Sequence, residues 1–146
     1  LTSRKQNRLI DLIQKEKPIF ETLPALVEKL ARKFTLSVAS GSLHPVIDAV
    51  LELENLRNFF PNVVSSQDVP KGKPAPDIFL KAADSMRISP DKICVIEDAA
   101  AGVQAGKSAG MTVIAITNSL PSSALSQADI VVSDYESIES LLLGRP

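Results

Sequence analysis

The chain has 146 residues, which predicts one domain, and its 45% hydrophobic content is enough for a buried core. The net charge of −1 gives no support for nucleic acid or another polyanion as a partner. The one cysteine excludes a disulfide within the chain and suits a reducing cytoplasm, where we expect the protein, and no apolar run approaches the roughly 18 residues of a membrane span.

The first predicted element is a short amphipathic helix over residues 3–16, which ends before the break at Lys17-Pro18. Ser3 and Gln6 have the spacing of a capping box. The narrow apolar face contains Leu9, Ile10, Leu12 and Ile13. A helix this short and basic is marginal alone, so we expect this face to rest on something outside the chain.

Strands and helices alternate through the rest of the chain. Apolar runs predict strands at 34–39, 63–64, 93–96, 112–116 and 130–132. Helical periodicity follows the N-terminal signals Thr22-x-Pro24, Ser42, Pro76, Ala99 and the capping box Ser133–Glu136, with Gly110 as a C-terminal cap. The 93–96 run is the clearest buried strand, so Cys94 is expected to be a buried small residue. The alternation predicts an α/β fold, a Rossmann-like parallel sheet with helices on both faces.

Ser40 closes the first of these strands and directly precedes Gly41. A hydroxyl group and bare backbone N–H groups at the start of a helix suit a phosphate oxygen. The competing interpretation is a helix N-cap followed by a permissive glycine. The only histidine, His44, follows shortly and is expected to be a solvent-facing or capping residue, with substrate contact as the alternative.

Lys73 lies in a segment that Pro74 and Pro76 stiffen, and its bond to Pro74 is a candidate for the cis form. Rigid placement of an ammonium group makes sense where it must neutralise a phosphate or a carboxylate nucleophile. A solvated loop lysine is the alternative.

Glu97 and Asp98 directly follow the 93–96 strand. Asp98 alone could be an N-cap, but two adjacent carboxylates at a strand end are less easily explained by capping. Hard oxygen ligands of this kind suit Mg²⁺. Gly102 and Gly106 in the following helix are expected to permit close helix packing.

The Gly-Lys-Pro-Ala-Pro-Asp stretch at residues 72–77, a serine ending a strand and the Glu-Asp pair after a later strand resemble the haloacid dehalogenase-like hydrolases, mostly Mg²⁺-dependent phosphatases. The subgroup of phosphoglycolate phosphatases and β-phosphoglucomutases is the most similar. The resemblance runs from about Pro18 to the C-terminus. It implies that Ser40 and Lys73 bind the transferring phosphate and that Glu97 and Asp98 bind the metal. Ala99 stands where the family commonly has serine.

The family's nucleophile is the first Asp of a D-x-D motif on the first core strand, and no two aspartates of this chain have that spacing. Glu52 and Glu54 have it, but they are expected to lie in mid-helix and do not qualify. The chain also does not begin with Met and carries no visible secretory signal. We therefore expect a C-terminal portion of a longer enzyme, with a cap-domain remnant at 1–17 and the core domain at 18–146. A strand from the missing N-terminal segment or from a second copy should complete the sheet between residues 36–39 and 93–96.

The resemblance implies a Mg²⁺-dependent phosphatase or phosphomutase that acts on a small phosphorylated metabolite, of sugar phosphate or phosphoglycolate type, through an aspartyl phosphate. The chain alone is expected to be inactive, because the nucleophile lies outside it. The first alternative is a non-catalytic phosphate-binding or interaction module, if the natural chain starts near residue 1. The second is a receiver-like signalling domain, which is disfavoured because receivers keep their acids on the first strand.

Overall fold

The computed structural model describes residues 3–16 and 21–144, except for the side chains of residues 3, 6, 13 and 16. The helices are α1 (Ser3–Glu16), α2 (Leu23–Ala31), α3 (His44–Leu53), α4 (Asp77–Met86), α5 (Ala100–Ser108) and α6 (Tyr135–Leu143). The strands are β1 (Ser37–Ser40), β2 (Asn62–Ser65), β3 (Cys94–Glu97), β4 (Thr112–Ile116) and β5 (Ile130–Val132). Single 3₁₀ turns lie at Arg57–Phe59, Ser66–Asp68, Pro90–Lys92 and Ser122–Leu125. None of the helices in the described ranges has the length and hydropathy needed to cross a membrane.

All strand pairs run parallel, as predicted, but the ladder is divided into two pieces. β1 pairs with β2, with Ser40 opposite Ser65. β4 lies between β3 and β5, pairing Val95 with Val113 and Ile114 with Ile130. Within the described ranges no hydrogen-bonded ladder joins β1 to β3. The α/β class and the parallel sheet are confirmed, and the division falls where a central strand was expected to be missing.

Successive side chains of a strand point to opposite faces of the sheet, and helices cover both of these faces. Val95 and Val113 pack into one core with α4 and α5. Ile114 and Ile116 pack on the other face against α2 and α6. Val38, also on that face, belongs to a third cluster with α2 and α3. Because the strands of each ladder run parallel, their carboxyl ends lie at the same edge of that ladder.

A groove separates β1 from β3. It has a volume of about 520 Å³ and is lined by these two strands and by apolar side chains of α2 and α4, such as Leu30 and Phe79. We call it the inter-sheet groove. The groove is lined mostly by apolar side chains and is bounded by one edge of β1 and one edge of β3, features that are usually found inside a protein.

The prediction that Cys94 is buried is wrong. In β3, Val95 is buried, but Cys94 is exposed and Ile96 is 40% exposed. These two alternate residues project from one face of β3, and both line the inter-sheet groove. Protein atoms around the sulfur still desolvate it partly, which raises the pKa of the Cys94 thiol.

Several predicted caps are also wrong, whereas the terminal glycine is confirmed. Thr22 makes no side-chain cap for α2, and the residue before α3 is Leu43 rather than Ser42. α6 is capped by Asp134, whose carboxylate accepts a hydrogen bond from the Ser137 N–H. Gly110 follows α5 with φ +76°, a left-handed conformation that favours glycine.

Helix α1 has the predicted bounds and lies against α3 of the same chain. The expectation that its apolar face rests only on something outside the chain is therefore corrected in part. Leu9 and Leu12 remain 44% and 46% exposed. The predicted capping box at Ser3 and Gln6 lies outside the described side chains.

Candidate functional site

The predicted site residues surround one pocket at the carboxyl ends of β1, β3 and β4. Ser40 and Gly41 enter it from the end of β1, Lys73 from the loop before α4, and Glu97 and Asp98 from the end of β3. The pocket has a volume of about 540 Å³. The structure thus brings together all five residues, and the carboxyl ends of parallel strands are where open α/β sheets bind ligands. Their chemical roles stay predictions.

Lys73 connects the two pieces of the sheet. Its Nζ donates to the Ala39 carbonyl oxygen at 3.2 Å, at the end of β1, and to the Glu97 carboxylate at the end of β3. It also lies 4.8 Å from the centroid of the Phe79 ring, a cation–π distance. The side chain is only 19% exposed, and the Lys73–Pro74 bond is cis. Lys73 is therefore a held, half-buried cation rather than a solvated loop lysine.

Glu97 is engaged through both carboxylate oxygens. Besides the contact with Lys73, its Oε2 accepts hydrogen bonds from the backbone N–H groups of Asp98 at 3.1 Å and Ala99 at 3.2 Å. These two N–H groups immediately precede α5, where a negative charge is favoured. The side chain is 9% exposed. Glu97 thus joins Lys73 to the start of α5.

The two glycines of α5 have different reasons to be glycine. A Cβ built at Gly102 would lie 2.1 Å from the Glu97 Cδ, so only glycine leaves room for that carboxylate. A Cβ at Gly106 would lie 2.7 Å from the Val113 Cγ2, which is the helix–strand packing that we predicted. The prediction is therefore confirmed for Gly106, whereas Gly102 serves the pocket itself.

Asp98 has a partner that the sequence reasoning missed. Its Oδ2 accepts a hydrogen bond from the Ser119 hydroxyl at 2.6 Å. The neighbouring Asn118 lines the pocket and donates from Nδ2 to the Tyr135 hydroxyl at 2.8 Å. Partial burial, with a smaller contribution from the Asp98 charge, raises the pKa of the Tyr135 phenol. Asn118 and Ser119 closely follow β4, and this position at a strand end was the signal that could have found them.

Ser40 and His44 lie at opposite ends of one short loop. The Ser40 hydroxyl accepts a hydrogen bond from the Ser42 N–H at 3.1 Å, and a Cβ at Gly41 would meet nothing within 4 Å. His44 pairs through Nε2 with Asp68 at 2.7 Å, so it is neither a free solvent-facing residue nor a side-chain cap.

The pocket offers one carboxylate, that of Asp98, that is suited to be a direct protein ligand of Mg²⁺. In the described part of the chain no three His, Cys, Asp or Glu side chains cluster as a complete metal site. Mg²⁺, however, commonly takes one or two carboxylates and fills its other positions with water and phosphate. Asp98 places a hard carboxylate in the pocket, and the hydroxyl of Ser119 orients that carboxylate. Glu97 fits less well as a direct ligand, because Lys73 and two backbone N–H groups occupy its oxygens.

The chain belongs to the haloacid dehalogenase-like hydrolase family, whose model matches residues 3–110. It is 42% identical over 108 residues to a bifunctional riboflavin kinase/FMN phosphatase of Arabidopsis thaliana, covering 73% of this chain and 27% of that protein. It is 32% identical over 133 residues to the phosphoglycolate phosphatase of Escherichia coli K12, covering 88% of this chain and 50% of that protein.

The fold is similar to that of a solved β-phosphoglucomutase from Clostridium difficile, with a TM-score of 0.76 and 25% identity. The match covers 90% of this chain and 60% of that structure. These relatives place the chain in the subgroup of phosphoglycolate phosphatases and β-phosphoglucomutases. The chain spans half or less of the length of both curated relatives.

Proposed function

We propose that the protein containing this chain is a Mg²⁺-dependent phosphatase or phosphomutase acting on a small phosphorylated metabolite, of sugar phosphate or phosphoglycolate type. The observation that carries the proposal is the meeting of Ser40, Lys73 and Asp98, from three separate segments, around one pocket at the carboxyl ends of parallel strands. A hydroxyl, a held ammonium and a carboxylate are the groups that phosphoryl transfer needs for positioning and charge stabilisation.

In this proposal Ser40 and Gly41 bind a phosphoryl oxygen through the hydroxyl and the backbone N–H. Lys73 offsets the charge that develops on the phosphoryl oxygens. Its ammonium has three N–H donors, of which the Ala39 carbonyl and Glu97 accept two among the described residues. The remaining donor is the one we assign to phosphate.

Asp98, oriented by Ser119, would hold Mg²⁺, and Glu97 would support it indirectly by fixing Lys73 and the start of α5. The bound metal would supply positive charge to the phosphate oxygens. The nucleophile would be an aspartate outside residues 1–146. Its carboxylate attacks phosphorus, the substrate alcohol leaves with a proton, and water or a second sugar hydroxyl then takes the phosphoryl group from the aspartyl phosphate.

Steady-state kinetics of the full-length protein on an aryl phosphate, with and without EDTA, test this function. Lys73→Ala and Asp98→Asn should each lower kcat/KM by about 100-fold or more, because each removes charge stabilisation or metal binding. Lys71→Ala and Asp84→Asn are matched controls on exposed residues and should leave kcat/KM unchanged. Turnover that survives EDTA, or that is normal in either site variant, contradicts the assigned roles.

We also propose that the inter-sheet groove receives one further parallel strand, from a segment of the natural protein outside residues 1–146. The groove is apolar and bounded by β1 and β3, whose facing edges pair with no described strand. A buried backbone group without a partner costs about 1–3 kcal/mol, so several would offset most of a domain's net stability. The end of such a strand would lie beside Lys73, which spans the same gap.

Intact mass and a melting curve on the 146-residue chain test the added strand. The isolated chain should melt without one sharp transition, or should copurify with a second polypeptide or pair with another copy of itself. Adding back the upstream segment as a separate polypeptide should restore a cooperative transition. A monomer of 15.7 kDa with a single sharp transition and no bound segment would refute the proposal.

A further inference from the structure

Two loops leave the same end of the β1–β2 pair, where Ser40 lies opposite Ser65. One loop leads from Ser40 to α3, which begins at His44. The other contains the 3₁₀ turn Ser66–Asp68 and continues to Lys73. Each loop thus adjoins one of the two residues to which we assign phosphate.

A set of side-chain contacts holds these loops together, and we call His44, Gln67 and Asp68 the loop clasp. His44 Nε2 lies 2.7 Å from Asp68 Oδ2, and the same oxygen accepts the Ser65 N–H at 2.8 Å. The His44 backbone N–H donates to Gln67 Oε1 at 2.9 Å. The Ser65 and His44 contacts hold the pKa of the Asp68 carboxyl below its usual value.

The clasp replaces support that the Ser40 loop lacks by itself. The residue before α3 is Leu43, whose apolar side chain cannot accept a hydrogen bond from the first N–H groups of the helix. The side chain of Gln67, from the other loop, accepts the hydrogen bond of the His44 N–H instead. Ser66 adds two longer contacts, from its N–H and its hydroxyl to the Ser42 carbonyl, both at 3.4 Å. The loop that carries the Ser40 hydroxyl is therefore held by the loop that leads to Lys73.

We infer that the His44–Asp68 pair is a positioning device that sets phosphate affinity by holding the Ser40–Ser42 loop in place, without either residue touching the phosphate. Neither His44 nor Asp68 lines the pocket, whereas Ser40, Gly41 and Lys73 do. The inference rests on the proposed function only in taking this pocket as the phosphate site.

The test uses the full-length protein and two independent measurements, steady-state kinetics on an aryl phosphate and direct binding of inorganic phosphate followed by ³¹P NMR. His44→Ala should raise both KM and the phosphate Kd by about 10-fold, the usual size of a lost outer contact to a site. The value of kcat should stay within about twofold, because the groups that act on the phosphoryl group remain. His44→Gln, which can still donate to Asp68, should recover most of the affinity.

Asp68→Asn provides a second route to the same result, because the amide oxygen can still accept the Ser65 N–H while the pairing with His44 is weakened. The His44→Ala/Asp68→Asn double variant should be no worse than the poorer single variant, as expected for residues that act as one unit. Lys29→Ala, which breaks an exposed ion pair with Glu139 between α2 and α6, is the control for a general loss of stability.

The outcomes separate this inference from the function on which it rests. Unchanged phosphate affinity in His44→Ala and Asp68→Asn overturns the inference, as does a loss confined to kcat. Equal losses in Lys29→Ala would also overturn it, because the effect would then be general. If the protein binds phosphate but has no phosphatase activity, the phosphate Kd still decides the role of the clasp while the proposed function fails. A wild-type protein that binds no phosphate overturns both.

Discussion

Replacement of Gly102 by alanine tests the contact around which the end of β3 is built. The new Cβ would lie 2.1 Å from the Glu97 Cδ and 2.2 and 2.4 Å from its two carboxylate oxygens, so the carboxylate must leave. As the carboxylate moves, the hydrogen bonds that it accepts from Lys73, from the Asp98 N–H and from the Ala99 N–H would be weakened or lost.

The magnitude follows from these contacts. Hydrogen bonds to a charged group contribute about 1.5–3 kcal/mol each, and we take two of the three as lost after partial rearrangement, or about 3–6 kcal/mol. Alanine offsets about 1 kcal/mol through its higher helix propensity. We therefore expect Gly102→Ala to lower the free energy of unfolding by about 2–5 kcal/mol, measured by urea denaturation of the full-length protein with far-UV circular dichroism.

A double-mutant cycle with Glu97→Ala isolates the cause. Once Glu97 is shortened to alanine, the three atoms nearest to the added methyl group at position 102 are absent. We then expect the gain in helix propensity to dominate. In that background Gly102→Ala should stabilise the protein by up to about 1 kcal/mol, a reversal of sign. The same destabilisation in both backgrounds would refute the explanation, because the conflict would then lie elsewhere in α5.

Two further predictions concern Asp98 and the acid limb of stability. Ser119→Ala removes the hydroxyl that donates to Asp98 and should lower the affinity for Mg²⁺ by about 10-fold. The measurement is the Mg²⁺ concentration at half-maximal rate, which should rise; an unchanged titration would contradict this role of Ser119. Hydrogen bonds, chiefly from Ser65, Lys107 and Ser137 respectively, lower the pKa values of Asp68, Asp129 and Asp134 in the folded protein. Their contribution to stability is present above the unfolded pKa of about 4 and is lost as pH falls through the lower folded pKa values, so urea midpoints should fall below about pH 4; a midpoint that is constant down to pH 2 would contradict this.

The sequence by itself determined the elements with strong local signals and the residues at their ends. The apolar runs at 112–116 and 130–132 have the bounds of β4 and β5, because several adjacent β-forming residues leave little choice. Ser40 and Asp98 follow such runs, so their arrival at one edge follows from the parallel direction of the strands. Lys73 was identifiable because its prolines make the segment distinctive.

Only the tertiary structure decided what depends on residues far apart in the chain. The exposure of Cys94 arises because β3 has no neighbour on the side of β1, which no local pattern records. Gln67, which lies in another loop, accepts a hydrogen bond from the first N–H group of α3. Position 102 requires glycine because the Glu97 carboxylate reaches it from the end of β3. Local preferences are each worth only about 1 kcal/mol, so a long-range contact of similar size overrides them. Pairing of His44 with Asp68 and of Ser119 with Asp98 belongs to the same class, because each contact exists only after the strands have brought two distant loops to one edge.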